Sequence, residues 1–148
     1  MTRREGFTLL ELLVSLTILG IIVATVVPRV GRSMAQTRVQ RAATVIASDV
    51  QRAFSLAAQR RSPVRIAIDT AAKTFAIKNR AGDTTYISNT YNSSSEIGLS
   101  QLEASVTTIY VFPNGLANTS FTVTANTPGS NRRRVSVSRA GQVRITTP

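Results

Sequence analysis

The longest apolar stretch of the chain lies at its N-terminus. Residues 7–27 are 21 consecutive residues, of which only Glu11 is charged. As an α-helix they would be about 31 Å long, which matches the hydrocarbon core of a lipid bilayer. The apolar core of a cleaved secretory signal is shorter, at about 7–15 residues. The pattern therefore predicts a transmembrane helix over residues 7–28.

Residues 29–61 continue the helical period as an amphipathic second half of the same helix. Apolar side chains recur at steps of three and four residues and form one stripe. Its members are Val39, Ala42, Ala43, Ile46, Val50, Ala53, Phe54 and Ala57. Proline within a helix costs about 3 kcal/mol and usually bends it, so Pro28 predicts a kink in one long helix. Pro63 predicts its end, because the residue before a proline is driven to extended geometry.

After Pro63 the period changes to two, which is typical of strands. Alternating apolar positions predict about seven strands, within residues 64–69, 75–78, 84–87, 107–112, 121–125, 135–137 and 143–145. Residues 89–95 are an Asn/Ser run and residues 96–104 show no clear period, so we expect a long loop there. Residues 62–148 then form a β-rich head. The predicted class is α+β, a long N-terminal helix packed on an antiparallel sheet.

Composition argues against catalysis. The chain has no cysteine and no histidine, and its seven acids are scattered singly along the sequence. Neither a thiolate metal site nor a nucleophile–base or acid–base pair can be drawn from these residues. We therefore predict that the protein is not an enzyme and uses no cofactor.

Charge indicates the environment of the chain. The formal net charge is +11, which predicts a polyanionic partner or an anionic surface. Arg3 and Arg4 precede the apolar stretch and favour the cytoplasmic side of a membrane. The chain should therefore cross a membrane once, with its N-terminus inside and its C-terminal head outside.

Glu11 is out of place in a plain membrane anchor. A carboxylate inside a membrane costs about 2.5–3.5 kcal/mol and marks a functional site with a partner. A cut between Gly6 and Phe7 would create a cationic amino terminus about one helical turn from Glu11. The amine of a neighbouring copy could then neutralise the carboxylate, so Glu11 would set the register of a helical assembly.

The run Gly6-Phe7-Thr8-Leu9-Leu10-Glu11 resembles the class III leader of type IV pilins and type II secretion pseudopilins. The resemblance implies that a prepilin peptidase removes residues 1–6 after Gly6 and methylates the amino group of Phe7. It implies that the chain is held in the inner membrane with its head in the periplasm before assembly. It also implies that Glu11 guides assembly with other pilins or pseudopilins into a filament, a pilus or pseudopilus at the cell surface. Pro28 falls where pilins carry a helix-bending proline.

Two turns indicate one branch within these families. The Phe112-Pro113-x-Gly115 turn and the final glycine-containing hairpin look like those of the GspH/FimT branch of minor pilins and pseudopilins. That branch implies a minor subunit of a type IV pilus or an H-type minor pseudopilin of a type II secretion system. A major filament subunit is the third alternative.

The C-terminal hairpin concentrates positive charge. A three-residue loop, Arg139-Ala140-Gly141, would place Gly141 in the left-handed conformation that such loops need and would align two pairs of apolar residues on the buried face. Val137 would then oppose Val143, and Val135 would oppose Ile145. Five arginines fall within 13 residues that contain no acid: Arg132, Arg134 and Arg144 on the outward face, Arg139 at the tip, and Arg133 near the start of the strand.

Two interpretations of these arginines stay open. They could be a solvated strand face whose charges blunt a sheet edge, or a patch that binds the phosphates of extracellular DNA. FimT-like minor pilins of naturally competent bacteria are similar in using a basic C-terminal hairpin with a Gly-Arg-x-Arg motif on DNA. Here the motif reads Gly141-Gln142-Val143-Arg144, with glutamine in place of the first arginine. For a second cluster, Arg29, Arg32, Arg38 and Arg41, we expect a structural role.

Overall fold

The computed structural model describes residues 8–92, 94–95, 97–127 and 131–147. A single helix, α1 (Leu9–Arg60), passes through two compact units, the first ending at Met34 and the second beginning at Ala35. The prediction of one long helix is confirmed. Pro28 lies within α1, and the kink there stays a prediction. Residues 1–7, with the proposed cleavage site, and residues 128–130, between two of the predicted strands, lie outside the described residues.

In the first unit, α1 exposes its apolar side chains on every face. From Leu9 to Val23 the large apolar residues are all at least 48% exposed. By length and composition, α1 is the one helix in the described part of the chain that could cross a membrane. The hydroxyls of Ser15 and Thr17 donate at 2.8 Å to the carbonyls of Glu11 and Leu13. These hydroxyls are therefore satisfied within the helix, as an apolar solvent requires.

The second unit combines the end of α1 with two four-stranded sheets. Its described residues form β1 (Val64–Asp69), β2 (Thr74–Asn79), β3 (Thr85–Thr90), β4 (Gln101–Ala104), β5 (Thr108–Val111), β6 (Phe121–Thr127), β7 (Asn131–Val137) and β8 (Val143–Thr146). The first sheet has the order β3-β2-β1-β5 and the second β4-β6-β7-β8. All of the pairings are antiparallel. The α+β class is confirmed.

The predicted apolar stripe of α1 forms the centre of the core. Seven of its eight residues are buried, and Phe54 at the edge of the stripe is half-buried. Four of the eight are alanines, whose small side chains let the sheets approach the helix closely. Burying this stripe, rather than helix propensity, is what holds the second half of α1 in place.

The end of α1 agrees with the position predicted from Pro63. Arg61 has a positive φ of 51°. The amides of Arg61 and Ser62 donate to the carbonyls of Ala58 and Ala57, at 3.3 and 3.4 Å. This is the Schellman arrangement, which satisfies two carbonyls at the end of the helix. An arginine here takes the left-handed conformation that a glycine would adopt more easily.

The long loop expected over residues 89–104 is partly wrong. β3 continues to Thr90, and β4 forms at its far end. β4 escaped detection because only Leu102 among its four residues is buried, so no alternation is visible. The connection between these strands is anchored at both ends, since the Tyr91 amide donates to the Lys73 carbonyl at 2.8 Å and the Leu99 amide donates to the Tyr91 carbonyl at 2.9 Å.

Candidate functional site

The hairpin of β7 and β8 has the predicted register. Val137 pairs with Val143 and Val135 pairs with Ile145. Gly141 has a φ of 77°, and its amide donates to the Ser138 carbonyl at 3.0 Å, which closes the three-residue loop. Because β8 is an edge strand, its two apolar residues are only half-buried, whereas those of β7 are buried.

Contacts on both sides fix the tip of this hairpin. A Cβ atom at Gly141 would lie 3.0 Å from Cε1 of Phe54, so the aromatic ring rests directly against the glycine. On the other side, the amide of Ala117 donates to the carbonyl of Arg139 at 2.7 Å. The tip is therefore held by α1 and by the loop after β5.

The five arginines of the hairpin do not share one surface. Arg132 and Arg134 are exposed on the outward side of β7, and Arg144 is exposed on β8 beside Ser136. Arg139 is exposed at the tip. Arg133 alternates with them and lies on the same side of β7 as Val135, where it is half-buried. Its Nε has no hydrogen-bond partner among the described residues. The hairpin face consists of the four outward residues, Arg132, Arg134, Arg139 and Arg144.

Two adjoining grooves cross this side of the second sheet. The larger, of about 690 Å³, includes Arg144 in its lining, and the smaller, of about 260 Å³, includes Arg134. Both are lined by Ser105 and Thr122, so together they form a path from one arginine to the other. An acid, Glu103, lines the smaller groove.

Hydroxyl groups line much of the larger groove. Ser105 Oγ accepts a hydrogen bond from the Thr122 amide at 2.9 Å, and Ser138 Oγ accepts one from the Gln142 amide at 3.1 Å. Each hydroxyl proton stays available to an anionic oxygen. The one aromatic residue of the larger groove, Phe121, is buried. Such a surface suits phosphates rather than stacked bases.

Glu11 lies in the first turn of α1 and is exposed. Its amide donates to Thr8 Oγ1 at 3.2 Å, so Thr8 caps the helix. The cap could have been predicted from the sequence, because Thr8-x-x-Glu11 is the signature of a capping box. A carboxylate in the first turn is also favoured by the helix dipole. Gly6 and Phe7 lie outside the described residues.

Comparison with protein families gave two matches. Residues 1–27 match the prokaryotic N-terminal methylation motif, and residues 42–141 match the family of type II transport protein GspH. The second match spans 100 of the 148 residues. The chain belongs to the GspH family.

Solved structures share the fold of this GspH-family chain. The minor pseudopilin EpsH from the type 2 secretion system of Vibrio cholerae is 16% identical, with a TM-score of 0.61 over 75% of this chain and 98% of that one. The type IV minor pilin FimU of Pseudomonas aeruginosa PAO1 is 20% identical in one crystal form, with a TM-score of 0.60 over 74% and 96%. A second crystal form gives 19% identity and a TM-score of 0.62 over 76% and 93%. A search of curated proteins found no match.

Membership of the GspH family confirms the predicted resemblance to pilins and pseudopilins. These proteins are structural subunits, and membership implies assembly with other pilins in a filament. The exposed apolar half of α1 and the methylation motif are consistent with membrane anchoring before assembly.

Proposed function

We propose that this chain is a minor subunit of a type IV pilus that binds DNA through the hairpin face, without sequence preference, for DNA uptake. The observation that carries the DNA proposal is the placement of Arg132, Arg134 and Arg144 on an exposed sheet face, where none has an ion-pair partner among the described residues. Hydroxyl-lined grooves adjoin Arg134 and Arg144, which favours the DNA interpretation over a merely solvated edge.

The charge of the hairpin face sets the expected strength of its salt dependence. Each phosphate neutralised on duplex DNA contributes about −0.9 to the slope of log affinity against log salt. The four outward arginines would together give a slope of about −3.6. Arg133 is left out because it lies on the inner side of β7. The carboxylate of Glu103 in the lining of the smaller groove would repel phosphates. Gln142 in the lining of the larger groove is neutral, whereas an arginine at that position would strengthen DNA binding.

The N-terminal residues supply the assembly half of the proposal. A prepilin peptidase in the inner membrane would cut after Gly6 and methylate Phe7, and Glu11 would then meet the freed amine of a neighbouring subunit. Support comes from the match to the methylation motif and from the exposed position of Glu11 in an apolar helix turn. Pro28 would bend the helix between its membrane and head-packing halves.

The DNA proposal is tested with the full chain in detergent. Binding of a fluorescent DNA duplex is measured by anisotropy across a potassium chloride series, for wild type and for Arg132→Ala/Arg134→Ala/Arg144→Ala. The expected result is a slope shallower by about 2.7 in the variant, from three lost phosphate contacts. The matched control, Arg38→Ala/Arg41→Ala/Arg52→Ala, removes the same charge from exposed positions of α1 and should keep the slope. Equal losses in both variants would contradict a site on the hairpin.

The assembly proposal has its own test. Mass spectrometry of the protein from sheared surface filaments should find an N-methylated Phe7 as the first residue, and Glu11→Ala should reduce the amount recovered. Recovery of a filament-borne chain that still carries residues 1–6 would contradict it.

A second candidate function is a minor pseudopilin of a type II secretion system. The GspH family match and the likeness to EpsH support it as strongly as the likeness to FimU supports a pilin. The two are separated by disrupting the gene. Loss of surface pili and of DNA uptake supports the pilin, and loss of an exported protein with intact pili supports the pseudopilin.

A further inference from the structure

A second basic surface lies on α1. Arg38, Arg41, Arg52 and Arg60, called here the basic flank, are all exposed. At 3.6 residues per turn, the first three fall within a sector of about 60° around the helix axis. Arg60 lies further round, with its guanidinium 4.3 Å from the ring centroid of Tyr86 on β3. The flank therefore borders the first sheet, whereas the hairpin packs against Phe54 elsewhere on the helix.

The flank has almost no negative charge to balance it. Residues 29–61 contain seven arginines and one acid, Asp49. Asp49 is 1% exposed, and its Oδ2 accepts a hydrogen bond from the Asn89 amide group of β3. Its one ion-pair contact within the described residues is to Arg52, at 3.9 Å, and that arginine side chain is 65% exposed. A contact this long and solvated leaves the arginine free to pair elsewhere.

A second copy of this chain is a poor partner for the flank. Without residues 1–6, which hold two arginines and one glutamate, the side chains carry a net charge of +10. The second unit has three exposed carboxylates among its described residues: Asp69, Asp83 and Glu103. Each already accepts a hydrogen bond within its own subunit. Two copies brought together would therefore mainly repel one another.

We propose that the basic flank docks against an acidic surface of a different pilin-type subunit, so that this chain enters a filament beside acidic neighbours and does not polymerise with itself. The inference rests on the filament assembly that family membership implies, and is independent of DNA binding. The position of β3 supports the proposal, because within the described part of the chain this edge strand beside the flank pairs only with β2. One row of its backbone groups is therefore open to a neighbour.

The partner's carboxylates can be detected directly. Arg38→Lys/Arg41→Lys/Arg52→Lys keeps the charge of the flank and adds amines, which a carbodiimide couples to carboxylates in contact with them. Apart from the amino terminus, the chain's own amines are those of Lys73 and Lys78, so a new adduct is easily assigned. Treatment of isolated filaments that contain the full chain should give a variant-specific adduct to an Asp or Glu of another subunit. An adduct to a second copy of this chain, or to no protein, overturns the proposal.

Charge reversal measures the contribution of the flank. Arg38→Glu/Arg41→Glu/Arg52→Glu should lower recovery of the full chain in filaments by about tenfold or more, from three reversed contacts each modest in solvent. The matched control, Arg132→Glu/Arg134→Glu/Arg144→Glu, should be incorporated like wild type. Circular dichroism of both variants checks that they fold.

The outcomes separate this inference from the proposed function. Failure of wild type to enter filaments defeats the proposed function. Normal incorporation of wild type and of the flank-reversed chain defeats the inference alone. Loss of DNA binding by the flank-reversed chain, with normal incorporation, would show instead that nucleic acid occupies the flank.

Discussion

The second unit carries two basic surfaces, one on the β7–β8 hairpin and one on α1 itself, and they lie beside different kinds of contact between α1 and the sheets. The hairpin that carries the hairpin face packs closely against α1, because the Phe54 ring lies directly against Gly141, which has no side chain. The basic flank borders a polar attachment, in which the buried Asp49 binds Asn89 of β3 and Tyr91 is buried nearby. The position of the hairpin face therefore depends on apolar packing, whereas the position of the basic flank depends on hydrogen bonds between buried polar groups.

This difference has a functional meaning. A surface that would bind a polyanion from solution needs fixed positions, and the contact of Phe54 with Gly141 fixes the tip of the hairpin. Glu103 is the one acid that lines the grooves beside Arg134 and Arg144. A surface that meets other subunits must match a partner, and its position follows that of the helix and β3. The two supports should therefore respond to different substitutions, which gives four tests.

The largest effect is expected at Gly141. Alanine there would bring its Cβ to 3.0 Å from the Phe54 ring at a φ of 77°. The left-handed conformation costs about 1–2 kcal/mol and overpacking about 1–3 kcal/mol, so Gly141→Ala should lower the free energy of unfolding by about 2–5 kcal/mol. Urea unfolding of the full chain in detergent measures this. The adjacent exposed Gln142→Ala should stay within about 0.5 kcal/mol. Equal effects at the two positions would mean that the hairpin does not depend on the glycine.

Neighbouring arginines on β7 test which surface binds DNA. Arg132→Ala should make the salt slope of duplex binding shallower by about 0.9, because it removes one outward phosphate contact. Arg133→Ala removes the same charge from the opposite side of the strand and should leave the slope unchanged. The fluorescence anisotropy of labelled duplex across a salt series compares them. If Arg133→Ala has the larger effect, the polyanion does not lie on the hairpin face.

These cases show what the sequence could reveal about the molecule. The helical stripe was predictable because eight positions repeat one period, and the hairpin register was predictable because only one loop length suits Gly141 and buries both valines of β7. The inner position of Arg133 was also open to prediction, since it stands two residues before Val135. Four-residue β4 offered too few positions for any period.

Contacts between residues far apart in the chain could not be predicted from the sequence. Asp49 and Asn89 are 40 residues apart, and each taken alone reads as an ordinary polar residue. Burial of Asp49 was foreseeable only in part, since it lies beside the apolar stripe and not within it. Likewise, the grooves beside the hairpin face require the pairing of β4, β6 and β7, which no local pattern contains.

A third test concerns pH and the support of the flank. Burial raises the pKa of Asp49 above its ordinary 3.8, although the Asn89 hydrogen bond and the charge of Arg52 oppose the shift. The folded protein therefore holds this proton more tightly than the unfolded chain. The contribution of Asp49 to stability is complete below its unfolded pKa and is lost as pH rises through the folded pKa.

Asp49→Asn removes this titration. The variant should therefore become more stable relative to wild type as pH rises from about 4 to about 7. The difference between their free energies of unfolding should grow by no more than about 1.4 kcal/mol per pH unit, which is the limit for one proton. Urea unfolding of both chains at each pH gives the difference and cancels the other acids. A difference that does not change with pH would show that burial of Asp49 does not affect its ionisation.

The smallest effect is expected at Tyr91, beneath the same support. This side chain is fully buried, and its hydroxyl has no hydrogen-bond partner among the described residues. Burial, followed by the charge of Asp49, raises the pKa of the Tyr91 hydroxyl, which therefore stays neutral. A buried hydroxyl without a partner costs about 1–3 kcal/mol, so Tyr91→Phe should raise the free energy of unfolding by about 1 kcal/mol.

A second variant, Tyr91→Ala, serves as the control because it removes the ring as well as the hydroxyl. Tyr91→Ala should destabilise the protein by about 3–5 kcal/mol, because it empties a site in the core that the ring fills. If Tyr91→Phe instead destabilises by about 1 kcal/mol or more, the hydroxyl takes part in a hydrogen bond. The polar attachment beside the basic flank would then extend from Asp49 and Asn89 to Tyr91, and its contrast with the packed hairpin would be sharper than the present contacts indicate.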